Sequence, residues 1–195
     1  MTTTKLAGNR ALVAVVGDAS ATADSVQWKA AFDVGKLLID GGYRVLTGGL
    51  GGVMEAASRG ARASTSWRSG DIVGVLPGSD RTAANPFVDV VLCAGLDHGR
   101  NVIVGQAQAL IAIGGGAGTL TEIAFAWIYR RLVIGVRCGG WSERLADQRV
   151  DDRVRYPNIP DDCVYGARDS AEAVAILDSR LDAYIDTHGT IRRRP

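Results

Sequence analysis

The sequence predicts an α/β fold: a Rossmann-like doubly wound parallel sheet with helices on both faces. Short, continuously apolar runs alternate with longer segments in which apolar residues recur at helical spacing. Glycine-rich segments follow several of the apolar runs directly, as loops at the carboxyl ends of parallel strands do. Because this alternation continues through almost the whole chain, we expect a single domain over residues 1–195, with a core from about 11 to 187.

The first half of the chain supplies four predicted strands and two predicted helices. In chain order they are a strand at 11–16, a helix at 25–39, a strand at 43–47, a helix at 53–63, and strands at 71–76 and 88–93. The 11–16 run is apolar at every position, which favours a strand buried on both faces. Gly41 and Gly42 end the first helix.

The second half continues the pattern to the last predicted helix. In chain order we expect a helix at 100–108, a strand at 109–113, a helix to about residue 130, a strand at 132–136, a short helix or loop at 141–148, a short strand at 163–165 and a helix at 170–187. A polar connector at 151–162 contains two prolines. Ser170 is the predicted N-cap of the terminal helix.

Composition excludes several classes of protein. The net charge of +1 argues against a dominant nucleic-acid-binding field, and no apolar run reaches the ~20 residues of a membrane span. The first residues lack the apolar core of a signal peptide, so we expect a cytoplasmic protein. Three widely spaced cysteines and two histidines match no metal-binding spacing, so no metal site is predicted.

The segment Ile113-Gly-Gly-Gly-Ala-Gly-Thr-Leu-Thr-Glu122 is the most informative motif. It reads as strand, glycine loop and helix, and bare glycines there let backbone N–H groups approach an anion at the helix N-terminus. The segment lacks the G-K-[ST] ending of a P-loop, which disfavours ATP hydrolysis. Thr119 can give its hydroxyl to a phosphate or cap the helix. The candidate phosphate-binding residues here are Gly115, Gly116, Gly118 and Thr119.

Two further loops should meet this one at the same edge of the sheet. The candidate ligand-binding glycines in them are Gly17, after the first strand, and Gly48, Gly49 and Gly52, after the second. Arg100 follows the fourth strand and can pair with a phosphate or carboxylate, although a surface arginine at a helix start is an equal alternative. Glu122 either faces a bound sugar or stabilises the helix N-terminus through the macrodipole.

These motifs resemble the LOG family, formerly named as lysine decarboxylases. The segment from Gly115 to Glu122 resembles its PGGxGTxxE signature, Gly48-Gly49 with Gly52-Val53-Met54 resembles its earlier glycine motif, and His98-Gly99-Arg100 resembles its HxR element. The resemblance covers about residues 11 to 137. It implies a phosphoribohydrolase that splits a nucleoside 5′-monophosphate into base and ribose 5-phosphate, with Glu122 and Arg100 as catalytic residues and no required cofactor.

Two departures make a second reading necessary. Gly114 stands where the signature has proline, and Asn101 stands where the hydrolases usually have lysine. Both features are similar to a sister group with the same fold, which includes uncharacterised nucleotide-binding proteins and molybdenum-cofactor carrier proteins. That resemblance implies a bound nucleotide, or a phosphorylated pterin as bound cargo, without hydrolysis.

The helix after Glu122 is unusually apolar, with Phe125, Trp127, Ile128 and Tyr129 close together. Burial on two sides explains such a helix, and self-association is the other reading. Because related proteins form homodimers or larger assemblies, the resemblance implies at least a homodimer.

Overall fold

A computed structural model describes residues 10–188. Seven parallel strands form one sheet in the order β4-β3-β2-β1-β5-β6-β7. The strands are β1 Leu12–Gly17, β2 Arg44–Thr47, β3 Ile72–Leu76, β4 Val90–Cys93, β5 Ala109–Ile113, β6 Leu132–Val136 and β7 Val164–Ala167. The helices are α1 Val26–Asp40, α2 Val53–Arg62, α3 Asn101–Val104, α4 Ala117–Ile128, α5 Gly140–Arg144 and α6 Ser170–His188. This architecture confirms the predicted fold class.

The strand order reverses between β1 and β5. The chain moves outward from β1 through β2 and β3 to β4, then returns to pair β5 with the other side of β1 before moving outward again through β6 and β7. The loops that follow β1 and β5 therefore diverge to opposite sides of the sheet and leave a crevice between them, where open α/β sheets bind their ligands.

Alternate residues of the central strands face two separate hydrophobic layers. Val13, Val15 and Ile111 pack against α1, α2 and α6, whereas Ala14 and Val16 face α3 and α4. The run of buried positions in β1, β5 and β6 is what the continuous apolar sequence predicts, since both faces of these strands are covered. β4 is exposed at three of its four positions, because it lies at the edge of the sheet.

The predicted helix at 100–108 is wrong in extent. The chain forms a 3-10 helix at Asp97–Arg100 and then α3, which ends at Val104. By Gln108 the chain has already aligned with β1, because the Gln108 amide donates to the Leu12 carbonyl and its side-chain oxygen accepts from the Leu12 N–H. A helix continuing to residue 108 would leave no residues for the turn into β5.

Two smaller expectations also change. β4 begins two residues later than predicted, at Val90. The N-cap of α6 is Asp169, whose carboxylate accepts from the Glu172 N–H at 2.8 Å, and Ser170 instead donates its hydroxyl to the Ala30 carbonyl. The apolar helix α4 is only partly buried on two sides: Trp127 is buried, whereas Ile128 is 65% exposed.

The two helices that lead into and out of β2 pack unusually closely. A Cβ added at Gly60 of α2 would lie 1.8 Å from the Phe32 carbonyl oxygen of α1, and one at Gly35 would lie 2.0 Å from the Ala57 carbonyl oxygen. Real Cβ atoms do not approach backbone oxygens so closely, so the helices would have to separate. This contact fixes α2, and with it the loop after β2.

We therefore expect Gly60→Ala to lower the free energy of unfolding by roughly 2–3 kcal/mol, the cost of overpacking a tight contact. Urea denaturation measures the change. Gly118→Ala is the matched control, because a Cβ at Gly118 meets nothing within 4 Å. That control should stabilise the protein by ~0.5–1 kcal/mol, since glycine is unfavourable in a helix. Equal effects of the two substitutions would contradict the close packing.

Candidate functional site

One cleft of about 520 Å³ opens at the carboxyl edge of the sheet, where the strand order reverses. We call it the central cleft. It is lined by the loops after β1, β2, β3 and β5, by the 3-10 helix at Asp97–Arg100, and by the first turns of α2, α3 and α4. Its volume falls within the range of roughly 300–1,000 Å³ that small-molecule and cofactor sites occupy.

The N-terminus of α4 opens into the central cleft without a cap. The N-cap residue is Gly116, so no side chain accepts from the first-turn amides, and the first turn carries no acidic residue. Gly116, Gly118 and Thr119 all line the cleft. By contrast, α1 is capped by Ser25, whose hydroxyl accepts from the Trp28 N–H. The first-turn N–H groups of α4 have no acceptor within the helix, and together with the helix dipole they make this end of the cleft electropositive.

The glycine loop that leads into α4 is held from behind by the start of α5. The Gly114 N–H donates to the Ser142 hydroxyl at 2.7 Å, and the Trp141 N–H donates to the Gly115 carbonyl at 3.0 Å. Gly114 has φ +65°. Proline has neither an N–H nor access to positive φ, so it could not occupy this conformation. The departure from the family's proline thus has a local cause, the contact with α5.

Arg100 and Glu122 form a buried ion pair in the central cleft. The Arg100 Nη1 lies 3.2 Å from the Glu122 Oε1, and the two side chains are only 11% and 8% exposed. Gly48 leaves room for this pair, because a Cβ there would lie 2.4 Å from the guanidinium nitrogens. Burial raises the pKa of Glu122 to about 7, and the charge of Arg100 only partly opposes that rise.

Asn101 joins the element that carries Arg100 to the first turn of α4. Its Nδ2 donates to the Thr121 hydroxyl at 2.7 Å, and that hydroxyl donates to the Gly118 carbonyl at 2.7 Å. Asn101 is 2% exposed. Asn101, which stands where the hydrolases usually have lysine, therefore positions α4 through its hydrogen bonds and places no charge in the cleft.

The structure divides the sequence-predicted site residues into two sets. Those that line the central cleft are Gly17, Arg100, Gly116, Gly118, Thr119 and Glu122. Those that lie behind it and shape the loops are Gly48, Gly49, Gly52 and Gly115. Capping by Thr119 is wrong, since α4 begins at Ala117 with Gly116 as its N-cap. Thr119 instead packs beneath Gly115, where a Cβ would lie 2.2 Å from its hydroxyl.

Sequence reasoning missed the apolar side chains of the central cleft. Leu50, Met54 and Pro77 line it beside the polar groups. Leu50 and Pro77 follow β2 and β3 within three residues, so their position after two parallel strands was the signal that could have identified them. The lining of the cleft thus combines polar and charged groups with a few apolar side chains, as is usual for small-molecule sites.

Most of the chain matches the model of one known protein family. The model of the SLOG cluster4 family matches residues 10–164, which is more than half of the chain. The chain belongs to the SLOG cluster4 family. This confirms the superfamily that the glycine motif of α4 predicts.

Individual relatives agree with this assignment. An uncharacterized protein of Archaeoglobus fulgidus is 40% identical over 104 residues, which are 53% of this chain and 66% of that protein, so the match spans just under two thirds of the relative's length. The molybdenum cofactor binding protein of Rippkaea orientalis is 28% identical, with a TM-score of 0.72 over 89% of this chain and 98% of that one. The molybdenum cofactor carrier protein of Chlamydomonas reinhardtii is 28% identical, with a TM-score of 0.69 over 89% and 99%. Among residues 10–188, no helix combines the length and apolar character needed to cross a bilayer.

The raised pKa of Glu122 predicts that stability falls as the pH rises from about 5 to about 8. Below pH 4.5 the carboxyl is protonated in both the folded and the unfolded protein. Between pH 4.5 and about 7 Glu122 is ionised in the unfolded chain but still protonated in the folded protein, so each rise in pH favours unfolding. The stability that the protonated carboxyl contributes is therefore lost by the time the pH has passed the pKa of the folded protein. The shift corresponds to at most about 3 kcal/mol.

Urea denaturation of the wild type and of Glu122→Gln at pH 5 and pH 8 isolates this contribution, because glutamine does not titrate. We expect the wild type to lose stability relative to the variant between the two pH values. A stability difference that is the same at both values would show that Glu122 is ionised throughout, held by Arg100.

Proposed function

We propose that the central cleft binds a phosphorylated small molecule, with the phosphate at the N-terminus of α4. The observation that carries this proposal is the uncapped first turn of α4, which presents Gly116, Gly118 and Thr119 to the cleft and contains no acidic side chain. Backbone amides at a helix N-terminus bind a phosphate through hydrogen bonds and through the helix dipole together. Glycine at 116, the N-cap position, keeps the approach to those amides clear of a side chain.

We further propose that the chain is a carrier whose cargo is a phosphorylated pterin of the molybdenum-cofactor type. The likeness to two molybdenum-cofactor proteins over about nine tenths of this chain supports it. The lining of the cleft supports it as well, because the side chains of Leu50, Met54 and Pro77 offer apolar contact area to a flat ring. Asn101 adds no positive charge to the cleft, so phosphate binding falls mainly to α4 and Arg100.

Gly118→Asp tests where the phosphate binds. A Cβ at residue 118 meets nothing within 4 Å, and a carboxylate in the first turn of a helix is favourable for the helix itself. The fold should therefore be kept, while the new negative charge repels the ligand phosphate. We expect at least a tenfold loss of affinity for the molybdenum cofactor, which corresponds to about 1.4 kcal/mol.

The assay mixes the purified chain with molybdenum cofactor released from a molybdoenzyme, without oxygen, and measures molybdenum and pterin that co-elute in gel filtration. Gly118→Asn is the matched control, because it adds a side chain of the same size without charge. It should bind within a few-fold of the wild type. Equal binding by the Asp and Asn variants would contradict phosphate binding at the N-terminus of α4. Absence of co-elution with all three proteins would refute the carrier proposal.

Hydrolysis of a nucleoside 5′-monophosphate is the second candidate, favoured by the buried pair of Arg100 and Glu122. In its ionised form Glu122 would take a proton from the attacking water, which adds to the anomeric carbon of the ribose as the bond to the base breaks. The leaving base takes up a proton, and ribose 5-phosphate is released. Arg100 would hold the ribose phosphate and steady the charge of Glu122.

This second candidate predicts release of free base from AMP or GMP, measured by chromatography. Glu122→Gln should lower the rate at least 100-fold, the usual contribution of a general base, and the wild-type rate should rise with pH around 7. Retention of nucleotide without release of base would exclude hydrolysis and leave the carrier proposal in place.

A further inference from the structure

Three carboxylates line the central cleft, and two of them have hydrogen-bond or ion-pair partners within the protein. The Asp18 Oδ1 accepts from the Ser20 N–H at 2.8 Å and from the Ser20 hydroxyl at 2.6 Å. Glu122 pairs with Arg100 at 3.2 Å. Asp97 is exposed, and within residues 10–188 its carboxylate takes part in no hydrogen bond or ion pair. It is therefore available to a ligand in the cleft.

Asp97 is attached to the β3 side of the cleft. Its N–H donates to the Pro77 carbonyl at 3.0 Å, which ties it to the end of β3. Three strand spacings separate β3 from β5 in the sheet, or about 14 Å. An elongated ligand could therefore place its phosphate at the start of α4, which follows β5, and another group at Asp97, beside the end of β3.

The backbone at Asp97 is held in a sparsely populated conformation. Its φ is +50°, and only two other non-glycine residues between 10 and 188 have positive φ. Aspartate tolerates this region better than most residues, yet such conformations cost free energy and concentrate at ligand sites. The hydrogen bond to Pro77 helps to hold the conformation, and so fixes the position from which the carboxylate projects.

Apolar side chains in the same cleft as Asp97 suit a flat ring. Leu50 and Pro77, which are partly exposed, and Met54, which is buried, all line it. A heteroaromatic ring between such apolar groups keeps its edge free for hydrogen bonds. The edge that faces Asp97 must supply donors, because an ionised carboxylate only accepts.

We propose that Asp97 selects ligands whose ring carries a 2-amino-4-oxo-pyrimidine edge, as guanine and pterins do. This inference rests on the proposed binding of a phosphorylated ligand. On that edge a ring N–H and the 2-amino group lie side by side, so both donate to one carboxylate as a bidentate pair. Adenine offers a single amino group beside a ring nitrogen that is an acceptor, and that nitrogen repels the second carboxylate oxygen.

Binding of GMP and AMP, measured by calorimetry, tests the selection, since the two share ribose and phosphate and differ only in the base. We expect the wild type to bind GMP at least tenfold more tightly than AMP. Asp97→Asn keeps the size of the side chain and its tolerance of positive φ but replaces one acceptor with donors. The GMP-to-AMP ratio should fall below about twofold in that variant.

Asp152→Asn is the control, because it removes the same charge from an exposed position that does not line the cleft. Its GMP-to-AMP ratio should equal that of the wild type. The ratio is the decisive readout, since loss of a negative charge alone changes the affinity for both nucleotides alike. Chemical denaturation of each variant reports whether it is folded.

Two results would overturn this inference alone. One is a wild type that binds AMP as tightly as GMP, and the other is a preference for GMP that persists in Asp97→Asn. Inorganic phosphate separates this failure from that of the proposed function. If phosphate binds competitively with the nucleotides but the selection is absent, only the role of Asp97 falls; if neither nucleotide nor phosphate binds, both proposals fall.

Discussion

The parallel pairing of β1 with β5 is the constraint on which the cleft depends. The residues of these strands are in register from Val13 with Ala109 to Gly17 with Ile113, so both strands end at the same height. The chain leaves them in opposite directions, toward α1 and toward α4. No local interaction in either loop could open the crevice by itself; it follows from strand order, which in turn follows from burying continuous apolar strands between two helical layers.

Two electrostatic effects act within a few residues of each other in this cleft: the positive end of the α4 dipole and the burial of the Glu122 carboxyl. At the start of α4 the amides are exposed and lack acceptors, so the local potential favours a negative ligand. At Glu122, one turn later, burial dominates and raises the pKa of the carboxyl to about 7 despite the neighbouring Arg100. A neutral Glu122 adds no repulsion against a bound phosphate, whereas an ionised one beside Arg100 is a potential base. The protonation state of Glu122 thus bears on both candidate functions.

Local sequence patterns predicted most of the fold, because the strands are uniformly apolar and glycines follow them directly. The failures occurred where tertiary contacts decide. The helix at 100–108 ends at Val104 because Gln108 must already pair with β1. The ion pair of Arg100 with Glu122 joins residues 22 positions apart and depends on the space that Gly48 leaves, and no spacing rule contains that information. The proposed role of Asp97 likewise depends on the strand order, which places β3 three strands from β5.

The most direct test of the central claim is a nuclear magnetic resonance titration of the ¹⁵N-labelled chain with inorganic phosphate. If the phosphate binds at the start of α4, the backbone amides of Gly116, Ala117, Gly118 and Thr119 should show the largest chemical-shift changes and a common dissociation constant. Amides at the start of α2, where Glu55 already supplies a negative charge in the first turn, should change little. Shifts that are absent from α4, or that are largest at another element, would contradict the claim.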